Sequence, residues 1–360
     1  MTTENSLIYL VSCAVNEKIP EKSIVDEMNL SEVYSLAEKH MLSTAVAMAL
    51  ESVGYESEQS IKTIGFSLRK ISLLEADKKS VFQKLEEAEI WYMPLKGAVL
   101  KDFYPRLGMR EMSDYDILFD ASRANDVKNI MKNLGFHTSE FGIQNEDVYY
   151  KLPVSNFEMH RSLFGARHGE IICDYFKNIK KRLIKDKDKN YGFHFSPEDF
   201  YIYMITHEYT HYSSSGTGLR SVLDTYIYLK KFELDWDYIN KEFSKLDISD
   251  FEKANRTLAL NLFNAQKLTN EQEKMLNYIL SSGTYGTLQN NSDNEIAKYG
   301  RWGYFLKRLT LPYPQMLEEF PILKKNPVLY PIFWLHRLFV RGLFLRRKKF
   351  THQLKTILQK

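Results

Sequence analysis

The chain has 360 residues, 44% of them hydrophobic and 26% charged, and a formal net charge of +3. That length supports two or three domains with a substantial core, the composition is ordinary for a globular protein, and the charge alone does not indicate a nucleic-acid partner. Two cysteines, Cys13 and Cys173, are too few for a disulfide framework or a structural zinc site.

From the N-terminus, the apolar run Leu7 to Val15 is too short to span a bilayer. Met1 to Ser6 carries Glu4 and no base, so it lacks the positive start of a signal peptide, and a cytoplasmic protein is expected. The first ninety residues read as helical. Ile61, Ile64, Leu68, Ile71, Leu74, Val81 and Leu85 recur at helical spacing along one long helix, read as a packing surface. Shorter amphipathic stretches lie at Ser31 to His40 and Thr44 to Ser52.

Near Ile90 the pattern changes. Ile90 to Leu95 is short, apolar and aromatic, as a buried strand would be. Lys96-Gly97 turns into a short helix over Ala98 to Phe103, and Tyr115 to Phe119 is a second strand. Ser122 to Leu134 is helical and stops at Gly135. His137 to Phe141, Tyr149 to Pro153 and Asn156 to Leu163 read as further strands, followed by Glu170 to Phe176. Ser196-Pro197-Glu198-Asp199 is a helix start, with a Ser cap, Pro at the first position and acids in the first turn. Helices are expected over Phe200 to Ser213, Arg220 to Lys231, Asp235 to Leu246, Phe251 to Gln266 and Glu271 to Leu280, before five prolines between Pro312 and Pro331 break the pattern. The expected class is α+β, with a helical region over 1–88, a mixed-sheet core over 89–190 and a helical domain over 191–360.

Asp114 and Asp116 are one residue apart where a strand begins, so they share a face. Two convergent carboxylates repel unless a cation lies between them, and hard divalent ions take such oxygen ligands together with substrate phosphates. Glu158 and His160 share a face of a later strand, where a third carboxylate would complete a two-metal phosphoryl-transfer site. Upstream, Gly97 lets backbone approach a ligand, and Lys96 and Arg110 offer positive charge for phosphates. Each also has a plain reading as a turn, a solvated charge or an exposed strand face.

In order, Leu95-Lys-Gly97, Tyr104-Pro105, Arg110, Ser113-Asp-Tyr-Asp116-Ile-Leu118 and Glu158-Met-His-Arg161 resemble the uncharacterised nucleotidyltransferase family of the DNA polymerase β-like superfamily. Ala37-Glu-Lys-His40, and His207, His211, Arg220 and Asp224, extend the resemblance outside the core. It implies a nucleotidyltransferase-fold core with Asp114, Asp116 and Glu158 as catalytic metal ligands for Mg²⁺ or Mn²⁺. It further implies an ATP-like NTP bound by Lys96, Gly97, Arg110 and Ser113, with His160 on the nucleotide or acceptor side, and an unidentified acceptor. Lys96 with a single glycine replaces the superfamily's Gly-Gly or Gly-Ser turn.

Three rival readings stand beside this one. His207-Glu208-Tyr-Thr-His211 matches the zinc hydrolase pattern, with Asp224 or Glu198 as loose third-ligand candidates. A non-catalytic nucleotide-binding protein would keep the same fold. The segment Phe333 to Phe350 interleaves aromatics and cations; it suits a helix closing the C-terminal bundle, with weak contact to an anionic membrane surface or a nucleic-acid groove as alternatives.

Overall fold

Alternation along two short runs determines how the sheet is built. In the computed structural model, which describes residues 1–138, 141–309 and 313–337, four strands pair in the order β1-β2-β4-β3. They are β1 (Tyr92–Pro94), β2 (Tyr115–Phe119), β3 (Glu146–Lys151) and β4 (Ser155–His160). β1 runs antiparallel to β2, β2 parallel to β4, and β3 antiparallel to β4. Tyr115, Ile117, Phe119, Phe157 and Met159 point to one face and are buried. That face packs on α5 (Glu58–Glu87) and α7 (Ala124–Asn133), meeting Ile71, Leu74, Val81, Leu85, Val127 and Met131. The other face carries Leu118 at one end, packed against α8 (Glu170–Phe176) and α9 (Pro197–Ser214). Asp116, Glu158 and His160 share it with Leu118 because side chains alternate with period two.

The fold is α+β, a small mixed sheet with helical flanks. Before the sheet come α1 (Thr3–Val15), α2 (Lys22–Asp26), α3 (Leu30–Lys39) and α4 (Ser43–Ser52), and α6 (Gly97–Leu100) follows β1. A two-stranded hairpin, β5 (Ile184–Lys185) and β6 (Phe193–His194), precedes α9. After α9 come α10 (Leu219–Lys231), α11 (Trp236–Leu246), α12 (Ser249–Phe263), α13 (Asn270–Ser282), α14 (Leu288–Leu309), α15 (Tyr313–Glu319) and α16 (Tyr330–His336). Ser57 caps α5 and Ser196 caps α9 through their side chains, with Pro197 at the first position of α9. The flanks share one core: Leu7, Leu10, Val46 and Leu50 of α1 and α4 cluster with Leu223, Ile227, Leu258 and Ile279 of α10, α12 and α13. The N-terminal helices therefore hold α10 in place.

Two expectations change, and a third falls partly outside the described residues. Of His137 to Phe141, residues 139–140 lie outside the described residues, and His137 exchanges two backbone hydrogen bonds of 2.8 Å with Tyr150 as an isolated bridge. The N-terminal half of α5 turns Ser60 and Ser67 inward and leaves Ile61 64% and Phe66 61% exposed, with Ile64 only partly buried against the helical core; the fully buried apolar stripe begins at Ile71. Glu170 to Phe176 is a helix that starts at Gly169, whose φ of +94° suits glycine. Most of Phe333 to Phe350 lies outside the described residues, of which 333–336 end α16. No helix among the described residues is long and apolar enough to cross a membrane.

Candidate active site

Parallel pairing of β2 with β4 sets Asp116 directly beside Glu158 and Leu118 beside His160. Asp116, Glu158 and His160 each present a ligand atom, and these atoms lie within 4.8 Å of one another. His160 Nε2 is 2.8 Å from Asp116 Oδ1 and 3.7 Å from Glu158 Oε2. Lys96 Nζ donates to the same Oδ1 at 2.8 Å. Lys96 reaches it from the β1–α6 junction, where its backbone has φ +43°, a conformation that a non-glycine residue adopts at a cost of about 1–3 kcal/mol.

The electrostatics follow from crowding carboxylates in a buried place. Burial works against the charge of Asp116, but Lys96 and His160 outweigh it and hold the carboxyl below its usual range. Burial likewise opposes the Lys96 ammonium, and Asp116 more than offsets it. Glu158 has no such compensation: burial, then Asp116 and Asp114, push it up to about 8. Asp114 is raised by burial and then by Asp116. Three carboxyl groups with two resisting ionisation form a set that a bound cation would relieve, and carboxylate oxygens with one imidazole beside them suit a divalent ion. The residues therefore fit the implied metal. The tight group has His160 where Asp114 was expected; Asp114 precedes β2, is partly buried, and acts on the group through charge.

These residues line a cleft of about 2280 Å³. Ligand pockets typically run roughly 300–1,000 Å³, so the cleft has room for a nucleotide and a second substrate. Gly97, Ser113 and Arg110 line it as expected, but each has a neighbour that the sequence did not reveal. A Cβ on Gly97 would meet Arg110 Nη1 at 2.4 Å, so the glycine makes room for that guanidinium. Arg110 is buried and forks onto Asp224, Nε to Oδ1 and Nη2 to Oδ2, both 2.8 Å. Ser113 Oγ is 3.3 Å from Tyr285 Oη.

Facing the strands, α9 brings His207 and His211 into the cleft, their Nε2 atoms 3.2 Å apart. Burial and then Lys96 depress both, His211 to about 4, so both are neutral at pH 7. Glu208 faces the helical core instead. Its Oε2 accepts from Asn255 Nδ2 at 2.9 Å, and burial pushes its carboxyl up to about 8. Asp224 is taken by Arg110, and Glu198 accepts from Asp235 N. Among the described residues no third ligand joins His207 and His211, which removes the basis of the zinc hydrolase reading.

Several residues in the quoted motifs tie elements together. Arg161 forks onto buried Asp147 of β3. His40, fully buried, accepts at Nδ1 from Leu219 N (3.1 Å), joining α3 to the start of α10. Only contacts remote in sequence reveal these partners.

The model of an uncharacterised nucleotidyltransferase family matches residues 26–264, which is more than half of the chain. The chain belongs to that family. Membership makes this a nucleotidyltransferase, with a nucleotide as substrate. The matched span runs from α2 through α12, so it includes the strand wall, α9 and α10. Neither curated proteins nor solved structures yielded a match.

Proposed function

We propose that this nucleotidyltransferase moves a nucleoside monophosphate from an NTP to an acceptor hydroxyl or phosphate, releasing pyrophosphate, in a reaction dependent on Mg²⁺ or Mn²⁺. The observation that carries this reading is the register pairing of Asp116 with Glu158, with Asp114 two residues before Asp116 and lining the same cleft. Asp114, Asp116 and Glu158 would hold the divalent ions. When bound, the ions would supply charge neutralisation of the phosphates and a lowered acceptor pKa.

The chain's own groups do the rest. Lys96 sits on Asp116 in the free protein and would turn to the α- or β-phosphate when Asp116 takes a cation. Ser113 and the backbone at Lys96-Gly97 line the nucleotide's path. An acceptor oxygen attacks the α-phosphorus as the bond to the β-phosphate breaks, and its proton passes to Glu158. His160 keeps Asp116 oriented through its 2.8 Å contact. Neutral His207 and His211 face the acceptor side and offer hydrogen bonds without adding charge. A cytoplasmic setting is part of the same proposal.

The test incubates the protein with each α-labelled NTP, Mg²⁺ and cell extract. Label should move to an acceptor with wild type and stay in the nucleotide with Asp116→Asn. Binding of nucleotide without transfer under every condition would favour the non-catalytic alternative instead.

A further inference from the structure

Helix α10 carries Arg220 and Asp224 four residues apart, the spacing at which an Arg–Asp pair closes along a helix. Here it does not close, because both Asp224 oxygens are occupied. Oδ1 accepts from Arg110 Nε at 2.8 Å and from Tyr104 Oη at 2.7 Å, and Oδ2 accepts from Arg110 Nη2 at 2.8 Å. Arg220 is left with two neutral partners at Nη1, the Glu111 carbonyl and the Met41 sulfur, each at 3.0 Å. Among the described residues its Nε and Nη2 have no hydrogen-bond partner and no carboxylate forms an ion pair with it. Burial, and then Arg110, work against its charge, and the pull of Asp224, Tyr104 and Asp114 does not offset them.

The fold fixes this guanidinium on both sides. One residue before it, Leu219 N is held by His40; four residues after it, Asp224 is held by Arg110. Arg220 lines the same cleft as Asp114 and Asp116. A partly buried cation denied a carboxylate, with a planar edge of donors left over, is suited to a bidentate phosphate. Arg110, which the sequence suggested for this task, has two of its three nitrogens on Asp224 and the third, Nη1, 3.3 Å from the Met112 sulfur.

We infer that Arg220 binds the terminal phosphates of the incoming nucleoside triphosphate, the pair that leaves as pyrophosphate. This rests on the nucleotidyl-transfer reading above. It also makes the C-terminal helices part of the substrate site, since the strand core alone lacks this group.

Calorimetric titration of the full chain with magnesium tripolyphosphate, and separately with each magnesium NTP, tests it. Wild type should bind the inorganic probe and at least one NTP. Arg220→Gln should weaken both by roughly ten- to a hundredfold, as expected for losing a charge-assisted contact. Arg220→Lys keeps a charge but loses the fork, and should fall between the two; it also guards against a misfolded glutamine variant. Lys274→Gln removes an exposed cation from the cleft rim and should bind as wild type does. Unchanged binding by Arg220→Gln, or an equal loss in Lys274→Gln, would overturn the assignment while leaving nucleotide transfer standing. Failure of wild type to bind tripolyphosphate and every NTP would remove the transferase reading itself, and this assignment with it.

Discussion

The two walls of the cleft have opposite electrostatic needs. The strand wall crowds Asp116 and Glu158 into register, with Asp114 beside them, and two of these three carboxyls resist ionisation. The helical wall holds neutral His207 and His211 and a guanidinium with no carboxylate partner among the described residues. One side calls for a cation, the other for an anion. A metal-bound triphosphate satisfies both at once, which is why we read the cleft as built for that pair.

The largest expected effect comes from removing the strand wall's central charge. Asp116→Asn should lower transfer by on the order of a thousandfold, since it removes a ligand from the metal centre. Near-normal turnover would mean that the strand wall is not the reaction centre. Next is the tie between the walls. Asp224→Ala leaves Arg110 buried without a counter-charge and should cost about 3–5 kcal/mol in a urea unfolding series. A loss below about 1 kcal/mol would show that solvent reaches Arg110 more freely than its burial implies.

On the helical wall, His207→Gln with His211→Gln should reduce kcat/KM for the acceptor by roughly tenfold while leaving nucleotide affinity unchanged. A matching loss in nucleotide affinity would place these histidines on the wrong substrate. The smallest effect is in stability against pH. Glu158 holds its proton up to about 8 in the fold against an ordinary value of 4.5. The unfolded chain releases that proton first, so the contribution of Glu158 to stability is full below about pH 4.5 and is lost as pH rises toward 8. Glu208 acts in the same direction. Buried neutral His207 and His211 act in the opposite sense at acid pH, so melting temperatures in EDTA should decline from about pH 6.5 to 8, and Glu158→Gln should make that decline shallower. Mg²⁺ displaces the proton, so its stabilisation should be greatest near pH 8. An identical slope in wild type and Glu158→Gln would mean that Glu158 is ionised in the free protein.

Much of the strand wall was legible in advance because its signals are local. Tyr115 to Phe119 is bounded as expected, since its aromatic and β-branched residues suit a buried strand. The Glu158–His160 alternation translates directly into a shared face, whereas Asp114 lies just before β2 and outside the tight group. What pairs with what was not legible. That His160 rather than Asp114 joins the tight group depends on a parallel register between strands forty residues apart. Arg110 looked like a phosphate ligand because its partner, Asp224, lies on a helix more than a hundred residues away. His207 and His211 were visible as a motif, but only burial shows Glu208 facing the helical core. The inward turn of Ser60 and Ser67 on α5 has no local signal, because their partners, the Tyr34 hydroxyl and the Gly108 carbonyl, are remote in sequence.

The claim that the strand wall is a cation site is tested most directly by titrating Mn²⁺ into the full chain and following the free-ion sextet by electron paramagnetic resonance. Wild type should suppress the sextet in proportion to protein, Asp116→Asn should leave it intact, and Glu158→Gln should shift binding to higher Mn²⁺. A sextet equally suppressed by wild type and Asp116→Asn, or untouched by either, would contradict the account.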